Sequence, residues 1–371
     1  MNEDKSARYH RLRRRAGVVS AASTALLLAG LVATGASAAA AAAVRAFAPS
    51  PAASVAVCAA LLVLLHEAAV LPVVCYRSFV LDRRYGLSTE TFRVWLRDYA
   101  LAAAIRGALA VAGGEIVYTL LRQAPRWWWL GAAAIFAGAV GLLAKVAPVL
   151  LLPLFYTLRP MSREPLRDRL AALSARAGVP VLGVYEWGLG RKTRRANAAL
   201  VGTGRTRRIL VSDTMLDAYT EDEIEVVLAH EIAHHVHRDI FSALVIESAL
   251  LLVACFAAAC ALGPGWRAAG LESPSDPGGL PLLVLAAGVV SLAAAPLLNA
   301  LSRRNERRAD RYALALTGQP AAFISAMRRL ATQNLAEEDP SRAVLWLFHT
   351  HPPIAERIET ASRFTPSPEA G

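Results

Sequence analysis

The sequence predicts a mainly α, polytopic membrane protein of about six spans, with a small α+β domain on the cytoplasmic face. Three observations carry this expectation. Hydrophobic residues make up 55% of the 371 residues, and the mean hydropathy is +0.39, too apolar for an ordinary water-soluble globule. Charged residues are only 19% of the chain and gather in blocks between long uncharged runs. Arginine-rich and arginine-poor segments alternate along the chain. The net charge of +11 is carried almost wholly by arginine. In a membrane chain that balance marks the side facing anionic headgroups rather than a nucleic-acid partner.

Residues 1–15 form a basic tail (Lys5, Arg8, Arg11, Arg13, Arg14, Arg15). The uncharged run from Ala16 to Val44 is the first span. Ala36-Ser37-Ala38 resembles a signal cleavage site, but the run exceeds a signal peptide's apolar core, so a retained helix is expected. A second span, 53–75, carries His66-Glu67. A charged loop follows (Arg77, Asp82, Arg83, Arg84, Arg93, Arg97), then a third span over 99–121. Trp127-Trp128-Trp129, suited to an interfacial aromatic belt, opens a fourth span running to 158, so that spans one to four occupy 16–158. Residues 159–239 are soluble in character. Spans five (240–262) and six (280–301) flank a loop rich in Gly, Pro and Ser, and 302–371 is polar again.

The connections opposite the arginine-rich ones hold only Arg45, Arg122, Arg126 and Arg267. The positive-inside rule therefore puts both termini and both soluble segments in the cytoplasm, where 159–239 and 302–371 must assemble into one domain. Cys58, Cys75, Cys255 and Cys260 all lie in apolar runs without a CxxC, as packing residues do.

The soluble segments have readable parts. Ser162–Ala177 suits a helix closed by Gly178 and Pro180. Val181–Trp187 suits a strand, and Ala196–Val201 with Arg208–Val211 suits a hairpin around Gly202-Thr203-Gly204. Thr220 and Glu223 form a capping box. It opens a helix through VVLAHEIAHHVH (226–237) that is expected to run straight into the fifth span. The tail Thr365-Pro366-Ser367-Pro368 is expected to be disordered.

His230-Glu231-x-x-His234 is an H-E-x-x-H pattern. Positions i and i+4 share a helix face, so two imidazoles can bind one zinc ion. Zinc lowers the pKa of a bound water toward neutrality, and the neighbouring Glu231 can take its proton. A chance match in a histidine-rich helix end is the competing explanation. A catalytic zinc needs a third protein ligand and an open fourth position. Glu306 and Asp310, again i and i+4, follow the sixth span. Glu306 can be the third ligand, and Asp310 can hydrogen-bond a ligand imidazole. A solvated, charged helix end is the alternative. Depth separates the two, because His234 and Glu306 each sit roughly 8–9 Å beyond a span end at 1.5 Å per residue. Antiparallel neighbouring helices would present both motifs at one level, a match that chance does not require. His66-Glu67 is a decoy, since Val70 occupies the second histidine's place.

With these motifs in hand, the chain resembles the type 1 CAAX prenyl endopeptidase family of membrane-embedded zinc metalloproteases. The resemblance runs over about residues 75–360. Carrying it are Asp82-Arg83-Arg84-Tyr85-Gly86-Leu87-Ser88, Pro153-Leu154-Phe155-Tyr156 (Tyr156 standing where the family usually has asparagine) and Arg195-Ala196-Asn197-Ala198. So do Arg208–Leu216, the H-E-x-x-H, Glu306 with Asp310, His351-Pro352-Pro353 and Glu356-Arg357. The resemblance implies that His230, His234 and Glu306 hold one Zn(2+) per chain, with Glu231 as general base and Asp310 supporting a ligand. It implies His351 as an oxyanion stabiliser. Asn197 and Ala198 would lie on an edge strand taking substrate backbone by β-addition, and Arg357 would contact substrate. His235 and His237 are expected at the surface or behind the ligands. Eukaryotic members have seven spans, against the six counted here. Arg106, Glu115, Lys145 and Glu247 fall inside spans, where they would line a polar cavity or pair between helices.

The expected function is thus a zinc endopeptidase at the cytoplasmic membrane surface, acting on a CAAX-like tail or on damaged membrane protein. The partners are a peptide or membrane-protein substrate and the bilayer, with no nucleic acid. Alanine-rich, arginine-over-lysine composition predicts a high-GC bacterial source, which favours quality control. A catalytically silent zinc-binding scaffold is the alternative, though a structural site needs no Glu231. A transporter is the third, without a broken-helix pair or inverted repeat to support it. Nothing in the sequence sets an oligomeric state.

Overall fold

Apolar length dictates most of the architecture. The computed structural model describes residues 5–365, so the tail expectation for Pro366–Pro368 lies outside the described residues. Among these, six helices are long and apolar enough to cross a membrane: Lys5–Ala33, Pro51–Arg84, Phe92–Gln123, Trp128–Leu150, Asp239–Ala268 and Pro277–Thr317.

Helix α1 (Lys5–Ala33) includes the basic stretch expected to be a tail. Its N-terminal turns are docked on other elements. Tyr9 Oη donates to Asp82 (2.7 Å), Ser6 Oγ donates to Ala336 O (2.7 Å), and Arg14 pairs with Glu337. The expected first span to Val44 breaks at Gly35, which takes the left-handed conformation (φ 71°) open to glycine, and α2 (Ala36–Phe47) follows as a separate short helix. Arg45 of α2 holds that break in place by pairing with Glu272 (2.6 Å) and Asp276 (2.8 Å).

Helix α3 (Pro51–Cys75), capped by Ser50, passes through a π-helical turn (Tyr76–Val80) into α4 (Leu81–Arg84). Helix α5 (Phe92–Gln123) packs beside α3, and α6 (Trp128–Leu150) packs on α5. The fourth span therefore ends at Leu150, short of the expected 158. Pro153 lies in the one-turn helix α7 (Leu152–Phe155), beyond which the chain extends into strand β1 (Leu158–Pro160). Glu67 of α3 pairs with Arg106 of α5 (3.0 Å) and accepts a hydrogen bond from Tyr99, so one of the in-span charges is satisfied between helices.

Helix α8 (Glu164–Arg176) buries Leu166, Leu170 and Leu173, one stripe at helical spacing. Strands β2 (Gly183–Trp187), β3 (Ala198–Val201) and β4 (Arg208–Ser212) complete a sheet of order β1-β2-β4-β3, with β2–β4 parallel and the other pairs antiparallel. The β3–β4 turn needs Gly202 (φ 85°), where a Cβ would stand 2.6 Å from Thr206 O. After α9 (Asp213–Ala218), the Thr220–Glu223 capping box opens α10 (Glu221–Val236).

Contrary to the expected continuous helix, α10 does not run into the fifth span. It stops at His237, Arg238 turns left-handed (φ 55°), and α11 (Asp239–Ala268) starts afresh. By contrast α12 (Leu280–Thr317) continues unbroken from the sixth span into the soluble part. Helices α13 (Pro320–Asn334), α14 (Arg342–Phe348) and α15 (Ile354–Ser362) follow. One hydrophobic core joins Leu170, Ile209, Leu228 and Ile232 from the first soluble segment to Leu314 and Phe323 from the second. That core fixes α10 against α12.

Candidate metal centre

The site lies where α10 meets α12 beside the start of α11. His230 and His234 project from one face of α10, as their i, i+4 spacing requires. Their Nε2 atoms approach to 3.3 Å. Glu306 of α12 reaches the same point, with Oε2 3.2 Å from His230 Nε2 and Oε1 3.5 Å from His234 Nε2. Tetrahedral ligands about 2.0–2.2 Å from a zinc ion stand about 3.3–3.6 Å from one another, so the spacing suits one ion. Glu306 Oε2 is buried and accepts no well-aligned hydrogen bond, although His230 and His351 approach it. An oxygen so placed, facing two imidazole nitrogens, fits a cation between them.

The far nitrogens explain the orientation. His230 Nδ1 lies 2.9 Å from Asp310 Oδ1, and His234 Nδ1 lies 2.8 Å from Asp239 Oδ2. A carboxylate at Nδ1 keeps the proton there and leaves the Nε2 lone pair for a metal. Each carboxylate has its own anchor. Arg357 is bidentate on Asp310 (2.6 and 2.9 Å), and Arg308 pairs with Asp239. Asp239 and Arg308 were not foreseen. Their signal was present in an acid five residues after His234 and an arginine two after Glu306, but only the break at Arg238 turns Asp239 back onto His234.

Arg357, expected to contact substrate, is placed otherwise. Its residue is 8% exposed, and its guanidinium is held by Asp310 with His230 Nδ1 at 3.3 Å. It lies behind His230 and does not line the cavity that holds Glu231 and His234. His351 is exposed, and its Nδ1 is 2.7 Å from Glu306 Oε2, at the open side of the triad. Sheet order puts β3 at an edge, yet Asn197 uses its N–H on Ser212 Oγ (2.9 Å) and its C=O on Ser212 N (2.9 Å). Alternation along an antiparallel strand then leaves the N–H and C=O of Ala198 on the free edge. His235 Nε2 donates to Leu200 O (2.9 Å), tying this strand to α10. His237 stacks edge-on to Tyr312.

Glu231 lines a cavity of about 570 Å³ together with His234, Glu306 and Asn305. Burial raises its carboxyl pKa above the ordinary range, against the pull of both histidines, which makes it a better proton acceptor. Burial disfavours charge on His230, but its hydrogen bonds to Asp310 and Glu306 outweigh this and raise its pKa to about 9. Below that pH a metal must displace a proton from His230. Zinc uptake at neutral pH is therefore expected to release about one proton, with affinity weakening as pH falls. Titration calorimetry in buffers of different ionisation enthalpy reads this directly, and uptake without proton release would contradict it.

A sequence profile of Peptidase family M48 matches residues 160–365. A profile described as the CAAX prenyl protease N-terminal region, five membrane helices, matches residues 2–157. The chain is 29% identical over 293 residues to the uncharacterized metalloprotease YhfN of Bacillus subtilis, covering 77% of this chain and 68% of that one. It is 24% identical over 312 residues to CAAX prenyl protease 1 of Saccharomyces cerevisiae, covering 78% and 67%. The crystal structure of S. mikatae Ste24p superposes with a TM-score of 0.78 at 21% identity, covering 85% of this chain and 77% of that one, which shows a shared fold.

Proposed function

The chain belongs to Peptidase family M48 and is a membrane metallopeptidase, and from that premise we propose that it is a zinc endopeptidase whose ligands are His230, His234 and Glu306. The observation that carries this is the convergence of the three donor atoms within 4.8 Å of one another, with both histidines held at Nδ1 by carboxylates. A zinc ion there would polarise a scissile carbonyl and acidify a water beside it.

The protein's own groups do the rest. Glu231 accepts the proton of the attacking water and returns it to the leaving amine. Asp310 and Asp239 stabilise the imidazoles in the ligating tautomer. His351 stands at the open side, where it can donate to an oxyanion. Ala198 takes the substrate backbone along the free edge of β3. The arginine-rich connections support a cytoplasmic catalytic face.

The substrate is a polypeptide presented at the membrane. The yeast relative's name suggests a prenylated tail; the composition argues for a bacterial source and for damaged membrane protein. Purified, zinc-loaded protein in detergent is to be offered a farnesylated CAAX peptide and an unmodified membrane-protein fragment. Cleavage of the first alone, after the cysteine, assigns a CAAX protease. Cleavage of the second assigns quality control, which is the expected result. Failure on both with zinc bound would overturn the endopeptidase in favour of a silent zinc-binding scaffold.

A further inference from the structure

The cavity at the metal centre does not end there. It continues between α11 and α12, past Ile240, Ala243 and Ile246 on one side and Leu298 on the other, to Glu247. Glu247 lies eight residues along α11 from Asp239, the residue that holds His234. At 1.5 Å per residue Glu247 stands roughly 12 Å along the helix from Asp239, inside the apolar length of the span and exposed. It has no ion-pair partner within 4.0 Å among the described residues; Lys145 of the neighbouring α6 makes no ion pair with it. This contrasts with Glu67, which is paired by Arg106 and Tyr99. A carboxylate at membrane depth is costly unless it meets a cation or water. Here it lines the same cavity as Glu231 and Glu306, with the α11 wall between them apolar (Ile240, Ala243, Ile246) and the α12 wall mixing Leu298 and Leu301 with Asn299 and Ser302.

We propose that Glu247 is a specificity residue that binds a cationic substrate side chain, lysine or arginine, three to five residues from the scissile bond. The proposal rests on the proteolytic function proposed above and deepens it. The distance sets the register, since an extended chain advances about 3.3 Å per residue. The apolar α11 wall favours hydrophobic residues between the cut and the cation on the side that faces it. A substrate of this pattern is a membrane-entering segment flanked by a positive charge.

The test uses the full-length, zinc-loaded protein and a mixed-sequence library of unmodified peptides, with the cut positions read by mass spectrometry. Wild-type protein should favour lysine or arginine over neutral residues at one position three to five residues from the cut, by roughly tenfold, the scale of one partly desolvated charge pair. Glu247→Gln, nearly isosteric, should cut the library with that preference lost. Glu247→Lys should favour aspartate or glutamate at the same position. Zinc content of each variant reports an intact site. If wild type cuts without a charge preference, or if the preference persists in both variants, the assignment of Glu247 is overturned and proteolysis stands. If the wild type, holding zinc, cuts only the farnesylated peptide and leaves the library intact, the assignment of Glu247 is overturned and proteolysis stands; if it cuts neither, the proteolytic function falls and takes this assignment with it.

Discussion

Glu231→Gln is expected to hold as much zinc as the wild-type protein and to hydrolyse peptide bonds about 100- to 10,000-fold more slowly, the usual contribution of a general base. The expectation follows from where Glu231 stands. It is next to His230 on α10 but outside the triad of donor atoms, which comprises His230, His234 and Glu306. It lines the cavity beside them, and, of the acids next to the donor atoms, Asp239 and Glu306 are engaged by ligand histidines whereas Glu231 is not. Glutamine keeps its size and its capacity to hydrogen-bond, so the helix and its packing are preserved, but its amide takes no proton at working pH. Single-turnover cleavage with metal analysis on the same samples separates the two effects. Wild-type hydrolysis by Glu231→Gln would remove Glu231 from the chemistry.

The second large effect falls behind the site. Arg357→Met should lower stability by about 3–5 kcal/mol, the cost of stranding one member of a buried ion pair. The side chains of Arg357 and Asp310 are 10% and 3% exposed, and the guanidinium covers both carboxylate oxygens. Without it the buried charge of Asp310 is left, among the described residues, with His230 as its one close partner. Zinc binding to the metal-free protein can only partly offset this. Thermal unfolding in detergent at fixed zinc concentration measures the loss. The double variant Arg357→Met with Asp310→Leu removes the stranded charge and should recover most of the stability. It should still bind zinc about 10- to 100-fold more weakly, because His230 loses the partner that orients it. A single variant as stable as wild type would mean that the ion pair contributes nothing.

Local patterns carried much of this protein into view before any coordinates. Hydropathy located the six spans because a lipid-facing helix must be apolar over its whole length. The spacing of His230 and His234 placed both on one face of a helix, and the capping box at Thr220 set where that helix starts. Equal distance from two span ends pointed to Glu306 beside the histidines, and the three do converge, although that argument took α10 and the fifth span as one straight helix, which the structure breaks at Arg238. What escaped was set by contacts distant in sequence. Local propensity gives no sharp stop for α10 at His237, since neither glycine nor proline occurs in 230–240. The break fits instead the contacts of Asp239 with His234 and Arg308. The division of the first apolar run at Gly35 belongs with Arg45 meeting Glu272 and Asp276, more than two hundred residues away. Arg357 sits in a stretch resembling a family signature, and the packing of α15 against α13 and α12 places it on Asp310.

Zinc content and hydrolysis in Glu306→Ala bear most directly on the metal centre. The variant keeps both histidines of α10 and the sixth span intact while removing the one ligand that α12 supplies. Purified variant and wild type are to be equilibrated with the same limiting zinc, then assayed for bound metal per chain and for cleavage of the same peptide. The expected result is one zinc per wild-type chain, with zinc and hydrolysis both lost from Glu306→Ala. Stoichiometric zinc with full activity in the variant would contradict the assignment of Glu306, and with it the joining of α10 and α12 into a single catalytic centre.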